Sequence, residues 1–421
     1  MESLAPGLDR LVGGLTGELD ARLADVDAAL AGHYPGERAG RQPVHTVYVP
    51  ADRFHAGLVA EHGATALRAV DAHEERMLAL VGGDDDLVSR VRDKLAREPV
   101  EDLRIDLEDG YGTRPDAEED ADARRAADEL RAALDAGTAA PFTGIRFKGF
   151  EAPTRSRGVR TLALFVSRLV EDGPLPDTFV VTLPKVTAVE QVEALVHAAG
   201  RLESGLGLAD GALRFEIQVE TPQSILGPDG SALVARMVHA SGGRCTGLHY
   251  GTYDYSAACG IAAAHQSMEH PAADHAKAVM QAAAAGTGVR LSDGSTNVLP
   301  VGGPDEVAAA WATHLRLVRR SLARGYYQGW DLHPAQLPTR FAATFGFYRE
   351  GLDAAAGRLR TYVERRDSGV LDEPATARAL ADFLLRGVDC GALSPDEVGA
   401  GTGLAAGRLA GLAHRAEEGR A

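Results

Sequence analysis

The chain has 421 residues, 45% of them apolar, and carries 60 acidic against 44 basic side chains for a formal charge of -16. That balance argues against an extended nucleic-acid surface, and a mean hydropathy of -0.13 with no run of roughly 18 apolar residues argues against a membrane span. Cys245, Cys259 and Cys390 have no CxxC or paired spacing, and the start MESLAPGL has no leader-like pattern, so a soluble cytoplasmic protein is expected.

In chain order, LDRLVGGLTGELDARLADVDAAL spaces its leucines, valines and alanines helically and predicts an arm over residues 1–44. HTVYVP, residues 45–50, reads as a first buried strand, and residues 53–97 as mostly helical around a Gly-Gly-Asp-Asp-Asp loop at 82–86. LRIDLEDG, residues 103–110, is a second strand ending on Asp106, Glu108 and Asp109. DAEEDADARRAADELRAALDA, residues 116–136, then places acids early on an alanine-leucine helix. FTGIRFKGF, residues 142–150, is a third strand in which alternation puts Arg146 and Lys148 on one face. FVVTLPKV, residues 179–186, is a fourth, with Lys185 at its end.

RFEIQVETP and RCTGLHYGTYD follow as strands five and six, each ending on a carboxylate beside turn-forming residues, Glu220 and Asp254. Residues 289–301 and 325–337 supply a weaker seventh strand and an eighth that ends at His333. Eight strands alternating with helices predict a (β/α)8 TIM barrel over residues 45–350, with its site at the C-terminal strand ends. A doubly wound open sheet is the rival, disfavoured because no GxGxxG or Walker-type loop follows the first strand. On neighbouring parallel strands Glu220 and Asp254 come out on one rim, where two carboxylates suit magnesium. Taken singly, each reads rather as a strand-end acid making caps and turn hydrogen bonds.

LRIDLEDG, GIRFKGF, TLPKV, IQVET, GTYDYSAACG and LHPAQL stand in the order and at about the spacing of the citrate lyase beta-subunit, malyl-CoA lyase and HpcH/HpaI aldolase superfamily. The chain resembles that superfamily across residues 45–340. The resemblance implies a barrel whose Glu220 and Asp254 hold Mg2+, or Mn2+ in its place, whose Arg146 binds an oxoacid oxygen, and whose acidic cluster is Asp106, Glu108 and Asp109. Breaking a carbon-carbon bond beside a carbonyl develops enolate charge, which a divalent ion and a guanidinium would stabilise. Arg146 suits that role because its fork can hold a carboxylate through two hydrogen bonds. Glu108 or Asp109 would relay a proton or hold metal-bound water; Asp106 and Lys185 are candidate substrate-binding groups, Lys185 toward a coenzyme A phosphate or else in a plain ion pair.

Residues 351–421 read as a helical extension, expected as a cap over the mouth of its own or a neighbouring barrel and dispensable for barrel folding. LDEPATARALADFL in it resembles a malate synthase stretch, which makes Glu373, with Asp372 beside it, a candidate lid acid or else a helix cap. Tyr253, Tyr255 and His333 are further candidates for the pocket. A magnesium-dependent carbon-carbon lyase or aldolase for a short hydroxyacid or its coenzyme A thioester is the leading expectation. A malate-synthase-like condensing enzyme, an acyl-CoA thioesterase and a non-catalytic binding subunit are the alternatives. A homo-oligomer is expected.

Overall fold

The computed structural model describes residues 5–364 and 373–413; Asp372 lies outside them. Eight parallel strands form one sheet: β1 (His45–Pro50), β2 (Asp102–Asp106), β3 (Phe142–Arg146), β4 (Phe179–Leu183), β5 (Arg214–Val219), β6 (Cys245–Tyr250), β7 (Arg290–Ser292) and β8 (Gly329–Asp331). β1 pairs with both β2 and β8. The remaining seam closes by a Ser292–Gln328 bridge and by the Asp293 N–H donating to the Gln328 carbonyl at 2.8 Å. This is the predicted TIM barrel. Among the described residues no helix is long and apolar enough to cross a membrane.

Several strands stop earlier than their sequence suggests, because polar side chains at their ends turn the backbone. Asp106 ends β2 by accepting the N–H groups of Glu108 (3.0 Å) and Gly110 (2.8 Å). β3 stops at Arg146, so Lys148 does not share the arginine's face as alternation implied; it donates to the Leu107 carbonyl (3.0 Å) and to Glu119 (2.6 Å). β7 and β8 keep only three residues each.

Strand alternation sends Leu103, Ile105, Phe215, Ile217 and Val219 outward against the helices, where all are buried. The inward positions toward the strand starts carry charge in place of the branched apolar layers usual in such barrels. Arg104 donates to Glu216 through Nε (3.0 Å) and Nη2 (2.8 Å) and to Asp102 through Nη1. Glu216 also accepts from Thr182 Oγ1 (2.6 Å) and meets His249 Nε2 at 3.0 Å. Against the upward push of burial, Arg104 and His249 hold the Glu216 carboxyl well below its usual range.

After β8 the helix Leu337–Glu364 runs across the boundary expected at residue 350, burying Phe341, Phe345, Tyr348, Ala355 and Leu359. Helix Pro374–Asp389 returns antiparallel to it, with Phe383 5.0 Å from Tyr348 between ring centres and Arg386 Nη1 donating to Gln42 near the start of β1 (2.6 Å). Within one chain the extension therefore covers the flank and base of the barrel rather than its mouth. Glu373, exposed at the far end of that helix, stays outside the strand-end cluster and makes no side-chain cap. The break expected near Ser394-Pro395 is a capping box, in which Ser394 and Glu397 satisfy each other's backbone N–H groups.

Candidate active site

At the C-terminal strand ends the register sets Asp106 directly across from Arg146. Asp106 Oδ1 accepts from Nε and Oδ2 from Nη2, both at 2.7 Å, which forms a bidentate buried pair. With the N–H groups of Glu108 and Gly110 also directed at it, the Asp106 carboxylate is saturated. It positions the guanidinium and has no capacity left for the substrate contact expected of it. Gly110 has to be glycine here, since a Cβ would lie 2.5 Å from Asp106 Oδ2. The Arg146 Nη1 donates to Gln218 Oε1 at 3.3 Å and lies 3.5 Å from Glu108 Oε2, and one N–H of Nη2 remains beyond the Asp106 pair. The Tyr48 ring lies 4.7 Å from the guanidinium carbon.

Lys185 is the second fixed point. Among the described residues it is the one non-glycine with positive φ, 54°, a conformation that persists only where its surroundings impose it. Its N–H donates to Glu220 Oε1 at 2.7 Å. Its ammonium lies 2.6 Å from Asp109, 3.3 Å from Asp254, 3.6 Å from Glu108 and 3.8 Å from Glu220. Against burial, Glu220, Asp109 and Glu108 hold the lysine proton more tightly than usual.

Glu220, 1% exposed, follows directly on β5, and Gln218 Nε2 donates to its Oε2. Burial, with Asp254 as a like-charged neighbour, pushes its carboxyl up to about 8 against the pull of Lys185. Burial likewise pushes Glu108 up to about 7, opposed by Arg146 and Lys185. Asp109 is held low: the Lys185 hydrogen bond overcomes its partial burial. Asp254 sits in the first turn of helix Thr252–Ala258 rather than on β6 itself, and half of its side chain is exposed.

The structure thus gathers Arg146, Asp106, Glu108, Asp109, Lys185, Glu220 and Asp254 at one rim. The other candidates separate from it. Tyr255 is core, its ring 5.5 Å from that of Tyr250, and the Tyr253 hydroxyl accepts the Asn297 N–H at 2.6 Å. His333 caps the turn after β8 through Nδ1, accepting the Ala335 N–H at 3.1 Å. Gln218 and Tyr48, which hold Glu220 and Arg146 from below, went unremarked in the sequence. The alternation Phe-Glu-Ile-Gln-Val-Glu at 215–220 already places Gln218 on the face of Glu220.

Residues 23–417, nearly the whole chain, match the family described as "Domain of unknown function (DUF6986)". The chain belongs to the DUF6986 family. No curated protein matches this DUF6986 chain. Among solved structures it is similar to a citrate lyase of Burkholderia xenovorans LB400, with 18% identity and a TM-score of 0.58 over 86% of this chain and 97% of that one. Haloferax volcanii malate synthase, as a lead(II) complex, is 15% identical, with a TM-score of 0.48 over 87% of this chain and 89% of that one. The CitE protein of Mycobacterium tuberculosis, in complex with magnesium and acetoacetate, is 18% identical, with a TM-score of 0.45 over 82% and 98%. The first likeness establishes a common fold.

The donor set of the DUF6986 chain fits a divalent cation. Five carboxylates (106, 108, 109, 220 and 254) face two cations (146 and 185), so the rim has three negative charges in excess once all five are ionised, as a bound cation would favour. Among the described residues no three His, Cys, Asp or Glu side chains converge into a ready-made cage. Magnesium does not need one, since it takes one or two protein carboxylates and fills its other positions with water and substrate oxygens. A Cβ at residue 251 would lie 2.5 Å from that of Glu220, so Gly251 leaves the room in which Glu220 and the Asp254 turn approach each other.

Proposed function

We propose that this DUF6986 protein is a magnesium-dependent carbon-carbon lyase or aldolase acting on a short hydroxyacid or its coenzyme A thioester. The observation that carries the reading is an arginine clamped by Asp106 at the rim of a site where five carboxylates face two cations. Such a site attracts a divalent cation, and the remaining edge of the guanidinium can take a carboxylate or carbonyl oxygen. The fold shared with a citrate lyase supports the reading by analogy alone.

Glu220 and Asp254 would hold the ion, which when bound supplies Lewis-acid polarisation of a substrate oxygen. The rest follows from this chain's own groups. Arg146, oriented in advance by Asp106, binds and neutralises a developing oxyanion without having to reorganise. Glu108, with its carboxyl near 7, can hold or release a proton at neutral pH and lies 3.5 Å from Arg146, which makes it the acid-base candidate. Lys185 ties Asp109 and Glu108 to the Glu220–Asp254 side of the rim.

A panel of hydroxyacids and their coenzyme A thioesters, followed with magnesium for oxoacid formation and thiol release together, tests the assignment. Oxoacid from a hydroxyacid or thioester supports cleavage. Thiol release without oxoacid would make the protein a thioesterase, and consumption of acetyl-CoA with glyoxylate a condensing enzyme. Silence toward the whole panel by protein that binds magnesium would remove the lyase reading.

A further inference from the structure

The arm helix Ala5–His33 meets the barrel at its C-terminal end. His33 and Tyr34 pack against His239 at 4.7 and 5.5 Å between ring centres, the tyrosine edge-on, and the Gly36 N–H donates to the Gly286 carbonyl at 2.9 Å. These contacts lie where strands begin, at the end of the barrel opposite the candidate active site. From there to Gly7 every residue of the helix is exposed.

Leu8, Val12, Leu15, Leu19, Leu23, Val26 and Leu30 form one stripe along it, with Leu11 at its edge, and these eight side chains are 47% to 59% exposed. The steps between them are 4, 3, 4, 4, 3 and 4, so six steps cover 22 residues and average about 3.67, the period of the eleven-residue coiled-coil repeat. Three interior glycines, Gly13, Gly14 and Gly17, each cost about 1 kcal/mol relative to alanine in a helix. A Cβ at any of them would meet nothing within 4 Å, so no contact inside the chain repays that cost. A solitary helix of this composition is marginal in water.

We infer that the arm pairs with the arm of a second copy of this chain in a two-helix coil. An eleven-residue stripe is complementary to another of the same period. Half-exposed, its eight side chains offer on the order of 800 Å2, close to what one partner brings to a standard specific interface. Asp9, Asp20 and Asp27 line one edge and Glu18 and Asp25 the other, where Arg22 is the one cation beside the stripe, so acids outnumber bases along the seam. Those edges disfavour an anionic membrane surface. They also give self-pairing a signature, because like charges brought together across the seam are relieved by salt. The pairing stands apart from any reaction at the opposite end of the barrel.

Light scattering and sedimentation of the full-length chain at low and high salt test it. The expected mass is twice 44.3 kDa, with association tightening as salt rises. The triple change Leu15→Asp, Leu19→Asp and Leu23→Asp should return the monomer mass with the barrel's melting unchanged. Leu19→Ala, which keeps helix propensity, should raise the dimer dissociation constant by about a hundredfold or more, since both copies lose a buried leucine. A monomeric wild-type protein, or equal masses for wild type and triple variant, would overturn the inference. So would association that loosens with salt, which would instead place the acidic arm on a basic surface.

Discussion

Glu220→Gln offers the sharpest test of the metal assignment, because the structure sets both the direction and the size of its effect. A carboxyl that burial and Asp254 push to about 8 is protonated at neutral pH in the metal-free protein, whereas magnesium takes the ionised form. Affinity should therefore rise with pH up to about 8 and then level. With that value about one molecule in eleven is ionised at pH 7 and about ten in eleven at pH 9, so the dissociation constant should fall roughly tenfold, worth about 1.4 kcal/mol. Calorimetric titration at pH 7 in two buffers of different ionisation heat should register the larger part of one proton released per ion bound. Glu220→Gln should weaken binding further and flatten its pH dependence, with circular dichroism unchanged. Wild-type protein that binds magnesium with no proton release and with one affinity from pH 7 to 9 would refute the reasoning.

Arg146→Lys should give folded protein whose turnover, on the substrate that the panel identifies, falls about a hundredfold or more, since an ammonium cannot grip Asp106 and face the substrate together; wild-type kinetics would put the guanidinium outside the reaction. Glu216→Leu leaves Arg104 with Asp102 alone and should cost about 3–5 kcal/mol in urea unfolding, and a loss under about 1 kcal/mol would mean that the charged layer is dispensable. Removing residues 351–421 uncovers Phe347 and Tyr348, which pack on Phe383, and deletes buried Leu359, Leu384 and Leu393, at about 1.5–3 kcal/mol each. That truncation should aggregate or unfold rather than leave a stable barrel, which a soluble, cooperatively melting product would contradict.

The barrel was legible because apolar runs recur with helices between them, and the rim because Glu220, Asp254, Arg146 and Lys185 each fall at the end of such a run. What stayed hidden depends on register and on distant contacts. Nothing local says that Asp106 stands opposite Arg146, so an acid read as a substrate ligand turned out to be fully engaged in holding the arginine. Lys148 was misplaced because β3 stops at Arg146 and the lysine beyond it is taken up by the Leu107 carbonyl and Glu119, partners distant in sequence. The course of the C-terminal extension could not be read either. Helical spacing shows that Phe383 and Leu384 need cover, while the surface that covers them is set by Tyr348 and Gly351 on the preceding helix.

The charged layer near the strand starts bears on how freely this site could be transplanted. Gln218, which touches both Arg146 and Glu220, stands one inward position above Glu216, and Glu216 is held by Arg104 lying across the barrel. Arg104 in turn needs a glycine beside it: a Cβ at residue 144 would lie 3.2 Å from its Cδ and 1.8 Å from the Val180 carbonyl oxygen. Grafting only the rim residues onto a barrel with an ordinary apolar interior would leave Gln218 above a floor of a different shape. Asp102, Arg104, Gly144 and Glu216 would have to travel with the rim, and among descendants of this chain they should be inherited or lost as a set.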